Sequence, residues 1–317
     1  MAARLPRVPG LPDNVVFDTA SAYAWDELNE TTFLAGVFAA LADQMGSAFG
    51  NHEFVILSSH DPQVVPASAA GSPANKVLVF ISDETGTPPH HLSGHYRTIF
   101  KAYLTQEPVG TNVFPFSLGY VRNVPQFPVK PVESRSIGVF FSGNLNANRF
   151  ALYRQLHPVL RQLPEPAAGL AYRLVRKLGW PPLRMDFSDQ ARSTHIRFTP
   201  AFKSGLSPTE YGQLLADSRI VLCPRGFTSA ETFRHMEAMR AGAIVVSEPL
   251  PATRFYVGSP IVTAHGWADG LRKARDILRQ PDVMRRLQAE TARWWQNVCS
   301  EGAVAAYMRD ILTRPGP

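Results

Sequence analysis

The residues of this chain that are best suited to chemistry lie in one segment, 221–247 (VLCPRGFTSAETFRHMEAMRAGAIVVS). An apolar run leads into a turn with Arg225 and Gly226, followed by a helical stretch with Arg234 and Glu237 and a second apolar run. A glycine-containing turn between a strand end and a helix start directs backbone N–H groups and the helix dipole at an anion. Arg225 adds a planar fork of donors that suits phosphate. The segment therefore predicts a binding site for a phosphorylated ligand.

Local patterns in the same segment predict a strand–helix–strand unit. Thr228 followed by Glu231 fits a capping box, so we expect the helix to start there. Gly242 is placed to end the helix, because glycine adopts a positive φ at little cost. Two apolar runs flanking one helix predict parallel strands joined by a right-handed crossover.

This segment resembles the nucleotide-sugar site of the exostosin-like glycosyltransferases, glycosyltransferase family 47. The matching positions are Cys223, Pro224, Gly226, Ser229, Arg234, Glu237, Ala238 and Gly242. The resemblance extends more weakly to 115–120 (PFSLGY) and 137–149 (IGVFFSGNLNANR), so that it covers roughly 115–262. It implies a GT-B-like fold, in which two Rossmann-like α/β domains face a cleft. It also implies transfer of a sugar from a nucleoside-diphosphate sugar, with UDP as the expected carrier.

The resemblance carries an implication for the stereochemistry as well. Related retaining enzymes have a Glu-x7-Glu pattern, and its two positions here are Ser229 and Glu237. Because Ser229 is not acidic, the resemblance implies the exostosin-like branch and an inverting reaction, with Glu237 accepting hydrogen bonds from the ribose. The alternative is an exposed ion pair between Arg234 and Glu237, which lie three residues apart on the helix. Further donor contacts are expected from Arg225, Gly226, Thr228, Ser229 and Arg234.

A second loop is a candidate for the same ligand. Ser142, Gly143 and Asn144 follow the predicted strand 137–141. Glycine lets a backbone approach a phosphate closely, and Asn144 or Arg149 could add contacts. The alternative is an ordinary turn between a strand and a helix.

The catalytic base is sought in the first half of the chain. The run SDETG (82–86) directly follows the predicted strand 77–81, and His90, His91 and His95 come next. An inverting transferase needs one base that takes the proton of the acceptor hydroxyl. We expect Asp83 to face the cleft and act as that base, and Glu84 and His91 are the alternative candidates. The run could also be a polar loop that takes no part in catalysis.

No metal or cofactor is expected. The chain has no Asp-x-Asp motif, and its histidines have no partner at the spacing of a zinc site. Arginines and N–H groups would then neutralise the leaving diphosphate.

Apolar periodicity divides the chain into two α/β halves. Prolines 125, 128 and 131 predict a linker over 121–135, because proline at that density sustains neither a helix nor a central strand. The expected domains are 1–120, on the acceptor side, and 136–317, which binds the nucleotide-sugar and ends in a helical tail. Predicted strands are 15–17, 54–57, 77–81, 113–116, 137–141, 196–198, 220–222 and 243–246. Predicted helices are 31–45, 95–103, 149–163, one starting at Ser207, 267–278, 283–299 and 303–312.

Net charge and cysteine content limit the classes of binding partner and the cellular location that we expect. The net charge of +6 suits an anionic nucleotide-sugar or a peripheral position on an anionic membrane surface. No basic run concentrates the charge, so nucleic acid is not expected as a partner. Two cysteines, and prolines that interrupt the first residues, indicate a cytoplasmic protein. The acceptor would be a glycan or another hydroxyl compound. The alternatives are a nucleotide-sugar epimerase and a non-catalytic module that binds nucleotide or glycan.

Overall fold

The computed structural model describes residues 6–107, 109–178, 184–188, 193–201 and 204–314. These residues form two parallel five-stranded sheets, which confirms the predicted pair of α/β domains. The first sheet consists of β1 (Val15–Phe17), β2 (Glu53–Ser58), β3 (Lys76–Ile81), β4 (Thr98–Lys101) and β5 (Val113–Pro115). The second consists of β6 (Ile137–Asn144), β7 (Thr194–Thr199), β8 (Ser218–Cys223), β9 (Ile244–Ser247) and β10 (Val262–Thr263).

Eight α-helices occur in the described part of the chain. They are α1 (Thr31–Met45), α2 (Phe150–Leu156), α3 (Glu165–Leu178), α4 (Pro208–Ala216), α5 (Phe233–Arg240), α6 (Trp267–Leu278), α7 (Pro281–Trp294) and α8 (Glu301–Leu312). A π-helical turn (Trp295–Cys299) joins α7 to α8. The predicted helical tail is therefore confirmed.

The two sheets differ in strand order. The second runs β7-β6-β8-β9-β10, so its order reverses beside β6, as in a Rossmann fold. The first runs in chain order from β1 to β5, with no reversal. Because the first sheet has no reversal, its two faces are covered by different kinds of element. Helices α1 and α8 pack on one face, and loop residues such as Leu92, Tyr96 and Leu104 cover the other.

The first domain is built around α1. Its buried residues recur at three- and four-residue spacing, and they are Phe33, Leu34, Val37, Phe38 and Leu41. By length and composition alone, the helical stretch 31–51 is apolar enough to cross a membrane, but in this fold α1 is a core helix. The tail helix α8 packs against α1, and Arg97 Nη2 of the first domain donates to the Leu312 carbonyl at 3.0 Å. The C-terminal helix therefore lies on the first domain. The domain limits expected from the sequence remain a prediction. Residues 1–5 and 315–317, at the two ends of the predicted domains, lie outside the described residues.

Two predicted helices are wrong. Residues 95–103 contain β4, because Thr98, Ile99 and Phe100 are strand-forming residues that pair with β3. The helix predicted over 149–163 stops at Leu156, because Pro158 follows and the residue before a proline avoids the helical region.

The arrangement of the sheets creates a cleft. Open parallel sheets bind ligands beyond the carboxyl ends of their strands, and here those ends meet. Glu84, after β3, accepts a hydrogen bond from the Thr228 N–H, after β8, at 3.2 Å. Backbone hydrogen bonds of Ala252 to Thr105 (2.9 Å) and Glu107 (3.3 Å) also join the two domains. The cleft between the domains is thus where we expect a functional site.

Candidate active site

Two arginines converge on Gly143 near the end of β6. A Cβ atom at this position would lie 2.7 Å from Arg234 Nη2 and 3.1 Å from Arg149 Nη1. Both guanidiniums lie over the Phe141 ring, at 4.8 Å for Arg234 and 6.0 Å for Arg149. Any side chain in place of Gly143 would displace them. The two loops proposed from the sequence, after β6 and after β8, therefore contribute to one site.

These two arginines are buried without an ion-pair partner among the described residues. Arg149 is 7% exposed and Arg234 is 9% exposed. Both donate to neutral oxygens: Arg149 donates to both oxygens of Asn144 and to the Arg225 carbonyl, and Arg234 donates to the Ser142 carbonyl. In the described part of the chain neither forms an ion pair, and Arg234 Nε and Nη1 are buried with no partner. Burial and the neighbouring Arg234 lower the pKa of Arg149 to about 9.

Such an arrangement is unfavourable unless an anion completes it. A buried charge normally has a partner of opposite sign, and like charges side by side repel each other. Phosphate oxygens accept strong, charge-assisted hydrogen bonds from guanidinium donors. The free donors of Arg234 and the two positive charges over Gly143 therefore suit a phosphate or diphosphate.

The loop between β8 and α5 differs from the prediction at the helix start. Helix α5 begins at Phe233, and Thr232 with His235 forms the capping box in place of Thr228 with Glu231. The Gly226 N–H donates to the Ser229 carbonyl at 2.9 Å, which closes a turn and keeps Thr228 outside the helix. Glu231 does not cap the helix.

One of the predicted loop residues, Arg225, contacts the arginine pair, since its carbonyl accepts from Arg149 Nε at 3.3 Å. The Arg225 N–H donates to Glu248 Oε2 at 3.0 Å, its Nη2 donates to the Thr228 carbonyl at 3.1 Å, and its Nε is buried without a partner. Ser229 Oγ accepts from the Glu231 N–H at 3.2 Å, so it serves the loop itself. Asn148, which the sequence analysis missed, donates from Nδ2 to the Gly226 and Phe227 carbonyls at 2.9 and 2.7 Å.

Glu237 is held by protein groups on both oxygens. Its Oε1 accepts from the Val121 N–H at 3.2 Å, and its Oε2 accepts from the Tyr211 hydroxyl at 2.8 Å. It thus ties α5 to the start of the linker and to α4. The alternative of an exposed ion pair with Arg234 is wrong, because both residues are buried. The ribose contact remains a prediction, and this geometry does not favour it.

A cavity of about 590 Å³ lies at the carboxyl ends of the first sheet. All but one of its lining residues come from the first domain or the linker, and Phe233, at the start of α5, closes it from the second domain. The lining residues are Tyr23, Glu27, Leu28, Asn29, Glu30, His60, Ser82, Glu84, Tyr103, Arg122 and Phe233. Because the first domain is expected from the sequence to hold the acceptor, we refer to this cavity as the acceptor pocket.

Asp83 does not face the cleft, contrary to the expectation from the sequence. It is fully buried and paired with Lys101, with Oδ2 and Nζ 3.0 Å apart. Its Oδ1 accepts from the Thr85 N–H and hydroxyl at 3.0 and 2.7 Å. The physical reason is Ser82, whose φ of +73° interrupts the alternation of the strand. Glu84, instead of Asp83, therefore lines the acceptor pocket.

The buried ion pair gives Asp83 a structural role that can be tested. We expect Asp83→Asn to lower the free energy of unfolding by about 3–5 kcal/mol, because it leaves the Lys101 ammonium buried and unpaired. Urea unfolding would measure the loss. The double variant Asp83→Asn/Lys101→Met should recover part of it, and a single variant as stable as the wild type would contradict this role.

The two histidines of interest lie in different places. His91, an earlier candidate for the base, is exposed, hydrogen-bonds the Val64 carbonyl at 3.1 Å and does not line the acceptor pocket. His60, which follows β2 and was missed, does line it. Its Nδ1 contacts the Ser82 carbonyl at 2.8 Å and its Nε2 contacts the Tyr23 hydroxyl at 2.8 Å. Since a carbonyl only accepts, Nδ1 carries the proton and Nε2 is the basic nitrogen of the neutral ring.

His60 could have been found by its position. It lies three residues after the predicted strand 54–57, at the same sheet edge as the run after 77–81. Among the described residues, no group of three or more His, Cys, Asp or Glu side chains is arranged to hold a metal ion.

No family model and no curated protein matches this chain. Among solved structures, it is similar to an alpha-glucosyltransferase in complex with UDP-glucose and DNA containing an abasic site, with 11% identity, a TM-score of 0.45 and coverage of 95% of this chain and 80% of that one. It is also similar to Anabaena Alr3699/HepE in complex with UDP-glucose (11% identity, TM-score 0.43, coverage 89% and 77%). A third similar structure is Acinetobacter baumannii MurG, with 14% identity, a TM-score of 0.39 and coverage of 90% of this chain and 81% of that one. At these identities and TM-scores the function has to be inferred from the site itself.

Proposed function

We propose that this protein is an inverting, metal-independent glycosyltransferase that moves a sugar from a nucleoside-diphosphate sugar, with UDP as the carrier, to a hydroxyl acceptor. The observation that carries this proposal is the pair of buried guanidiniums, Arg149 and Arg234, which lie over Gly143 without an ion-pair partner among the described residues. A diphosphate would bring negative charge into direct contact with both. It would also accept hydrogen bonds from Arg234 Nε and Nη1, which have no partner within the protein.

The donor site would also stabilise the leaving group. When the bond between the sugar carbon and the diphosphate oxygen breaks, negative charge develops on the diphosphate. Fixed donors in a site shielded from water stabilise such charge strongly. Arg149, Arg234 and the start of α5 would do this, which is why we propose that no metal is required.

The acceptor hydroxyl would lie in the acceptor pocket, and Glu84 is our candidate for the base. Its carboxylate lines that pocket and also contacts the Thr228 N–H in the donor loop, so it lies between the two sites. The reacting sugar carbon has to lie there too. Glu84 would take the hydroxyl proton as the oxygen attacks the anomeric carbon, and this single displacement inverts its configuration. Asp83 is fully buried and His91 lies outside the pocket, so neither is retained as a candidate.

The two alternatives raised by the sequence receive less support. A non-catalytic module would be favoured if the run after β3 were remote from the cleft, yet Glu84 crosses it. An epimerase would need carboxylates at the sugar from both domains. The carboxylates that line the acceptor pocket, Glu27, Glu30 and Glu84, all belong to the first. The cytoplasmic location, the peripheral membrane contact and the lack of a nucleic-acid partner remain predictions from the sequence.

The proposal is tested by following donor consumption with proton NMR. The protein is incubated with UDP-glucose, UDP-galactose and UDP-N-acetylglucosamine in the presence of EDTA and a panel of hydroxyl acceptors. We expect one of these α-linked donors to give a β-linked product. An α-linked product would contradict inversion. Tight binding of UDP with no turnover of any donor would favour the non-catalytic module.

A further inference from the structure

The acceptor pocket is negatively charged although the whole chain carries +6. Three glutamates line it, Glu27, Glu30 and Glu84, against one arginine, Arg122. None of the three glutamates forms an ion pair with a side chain of the described residues: Glu27 accepts from the Ala24 N–H, and Glu84 accepts from the Thr228 N–H.

Arg122 does not neutralise this wall of the pocket. Its guanidinium donates to the Asp26 carbonyl, and its backbone N–H donates to the Asn29 carbonyl at 2.6 Å. The arginine is thus held by neutral oxygens of the segment before α1. The carboxyl groups of the three glutamates therefore line the pocket without an ion-pair partner among the described residues.

Glu30 is the most buried of these acids. It is 7% exposed, at the position just before α1, and the backbone N–H groups of Asn29 and of Glu30 itself favour its ionised form. Burial raises the pKa of Glu30 to about 7. Burial raises the pKa of the Tyr103 hydroxyl, and the neighbouring Glu84, Glu30 and Glu231 raise it further. Two of these acids, Glu30 and Glu84, thus lie beside Tyr103 on the wall of the pocket, and neither forms an ion pair with a described residue.

We propose that the acceptor pocket binds a hydroxyl compound that carries an ammonium group, and that Glu30 receives this group. The inference rests on the proposed function, because it names the class of acceptor for the same reaction. A buried carboxylate on the wall of a cavity gains most from a ligand that brings a cation. The rings of Tyr23, Tyr103 and Phe233 also line the pocket, and aromatic rings are favourable neighbours of an ammonium group. An acceptor with a carboxylate or phosphate group would be repelled.

Three probes that differ only at one carbon test this inference. Glucose, 6-amino-6-deoxyglucose and glucuronate carry an alcohol, an ammonium and a carboxylate at C6. Each is titrated into the protein by calorimetry in the presence of UDP. We expect the amino sugar to bind about ten- to a hundredfold more tightly than glucose, the range for one charge-assisted hydrogen bond, and glucuronate to bind most weakly.

The variant Glu30→Gln assigns the effect to one residue. We expect it to abolish the preference for the amino sugar while the affinity for UDP stays at the wild-type value. A matched control is Glu165→Gln, an exposed glutamate at the start of α3 that should keep the preference. Thermal unfolding of Glu30→Gln shows whether the variant is folded, and Glu30→Asp, which keeps the charge, should restore part of the preference.

Proton release supplies a second readout. Because an ammonium group favours the ionised form of Glu30, its binding at pH 7 should release protons, which calorimetry in buffers of different ionisation enthalpy detects. The affinity for the amino sugar should fall as the pH drops through 7, because Glu30 becomes protonated. The other charged or titratable groups that line the pocket are Glu27, His60, Glu84, Tyr103 and Arg122. Loss of both effects in Glu30→Gln assigns them to Glu30.

The failures of the two proposals can be told apart. When UDP binds, four results overturn the inference about the acceptor and leave the donor site standing. The three sugars bind equally, glucuronate is preferred, no sugar probe binds, or Glu30→Gln keeps the preference for the amino sugar. If UDP does not bind to the wild type, the proposed function itself fails.

Discussion

Replacing Glu84 by glutamine is expected to lower the turnover number by about 10²–10⁴-fold, the usual range for removal of a general base. The affinity for UDP should stay near the wild-type value. Glutamine keeps an oxygen that can accept from the Thr228 N–H, so the contact across the cleft is preserved. Only the capacity to take a proton is lost. Steady-state kinetics with the active donor, together with calorimetry of UDP binding, separate the two quantities.

His60→Gln and Asp83→Asn are the variants to compare with Glu84→Gln. His60 lines the acceptor pocket and presents a basic Nε2, so it is the only histidine among the lining residues that could replace Glu84 as base. Asp83→Asn should reduce stability without a specific loss of turnover in the protein that remains folded. A fully active Glu84→Gln beside an inactive His60→Gln would overturn our assignment of the base.

Removing the two arginines over Gly143 should weaken UDP binding by a factor similar to the loss of turnover expected for Glu84→Gln. We expect Arg149→Met and Arg234→Met each to weaken UDP binding by about ten- to a hundredfold, since a charge-assisted hydrogen bond contributes about 1.5–3 kcal/mol. The double variant should lose about 10²–10⁴-fold. The melting temperature of the free protein should not fall in Arg234→Met, because this change removes one of two like charges buried side by side, together with donors that have no partner.

Arg135→Met is the matched control for these variants. Arg135 is also buried, but its guanidinium donates to the carbonyls of Lys130, Ser218 and Ala241 at 2.7–3.0 Å. Its loss should reduce stability without a selective effect on UDP binding. If Arg234→Met lowers the melting temperature as much as Arg135→Met does and binds UDP normally, Arg234 has a structural role only.

Local patterns in the sequence were sufficient for much of the fold. The spacing of apolar residues predicts α1 with its observed bounds, because its buried face recurs at helical spacing. The strand–helix–strand unit that carries Arg225 and Arg234 is predicted by two apolar runs and by Gly242, whose φ is +63°. The proposed anion site was suggested by the same segment, since the residue types and the turn between strand and helix are visible without the structure.

The surroundings of Asp83 and Glu237 could not be predicted from local patterns. The positive φ of Ser82 turns Asp83 into the core toward Lys101, a partner eighteen residues away on another strand. Glu237 is likewise held by Tyr211 and by Val121, 116 residues earlier in the chain. Such partners are brought together only by the packing of the domains.

The measurement that tests the central claim most directly is the titration of UDP into the wild-type protein in the presence of EDTA. Arg149 and Arg234 already supply two positive charges and the unpartnered donors for a diphosphate. We therefore predict that UDP binds without metal, that uridine alone binds far more weakly, and that Arg149→Met/Arg234→Met removes the difference between them. Binding that appears only after addition of Mg²⁺ or Mn²⁺, or equal binding of UDP and uridine to the wild type, would contradict this account.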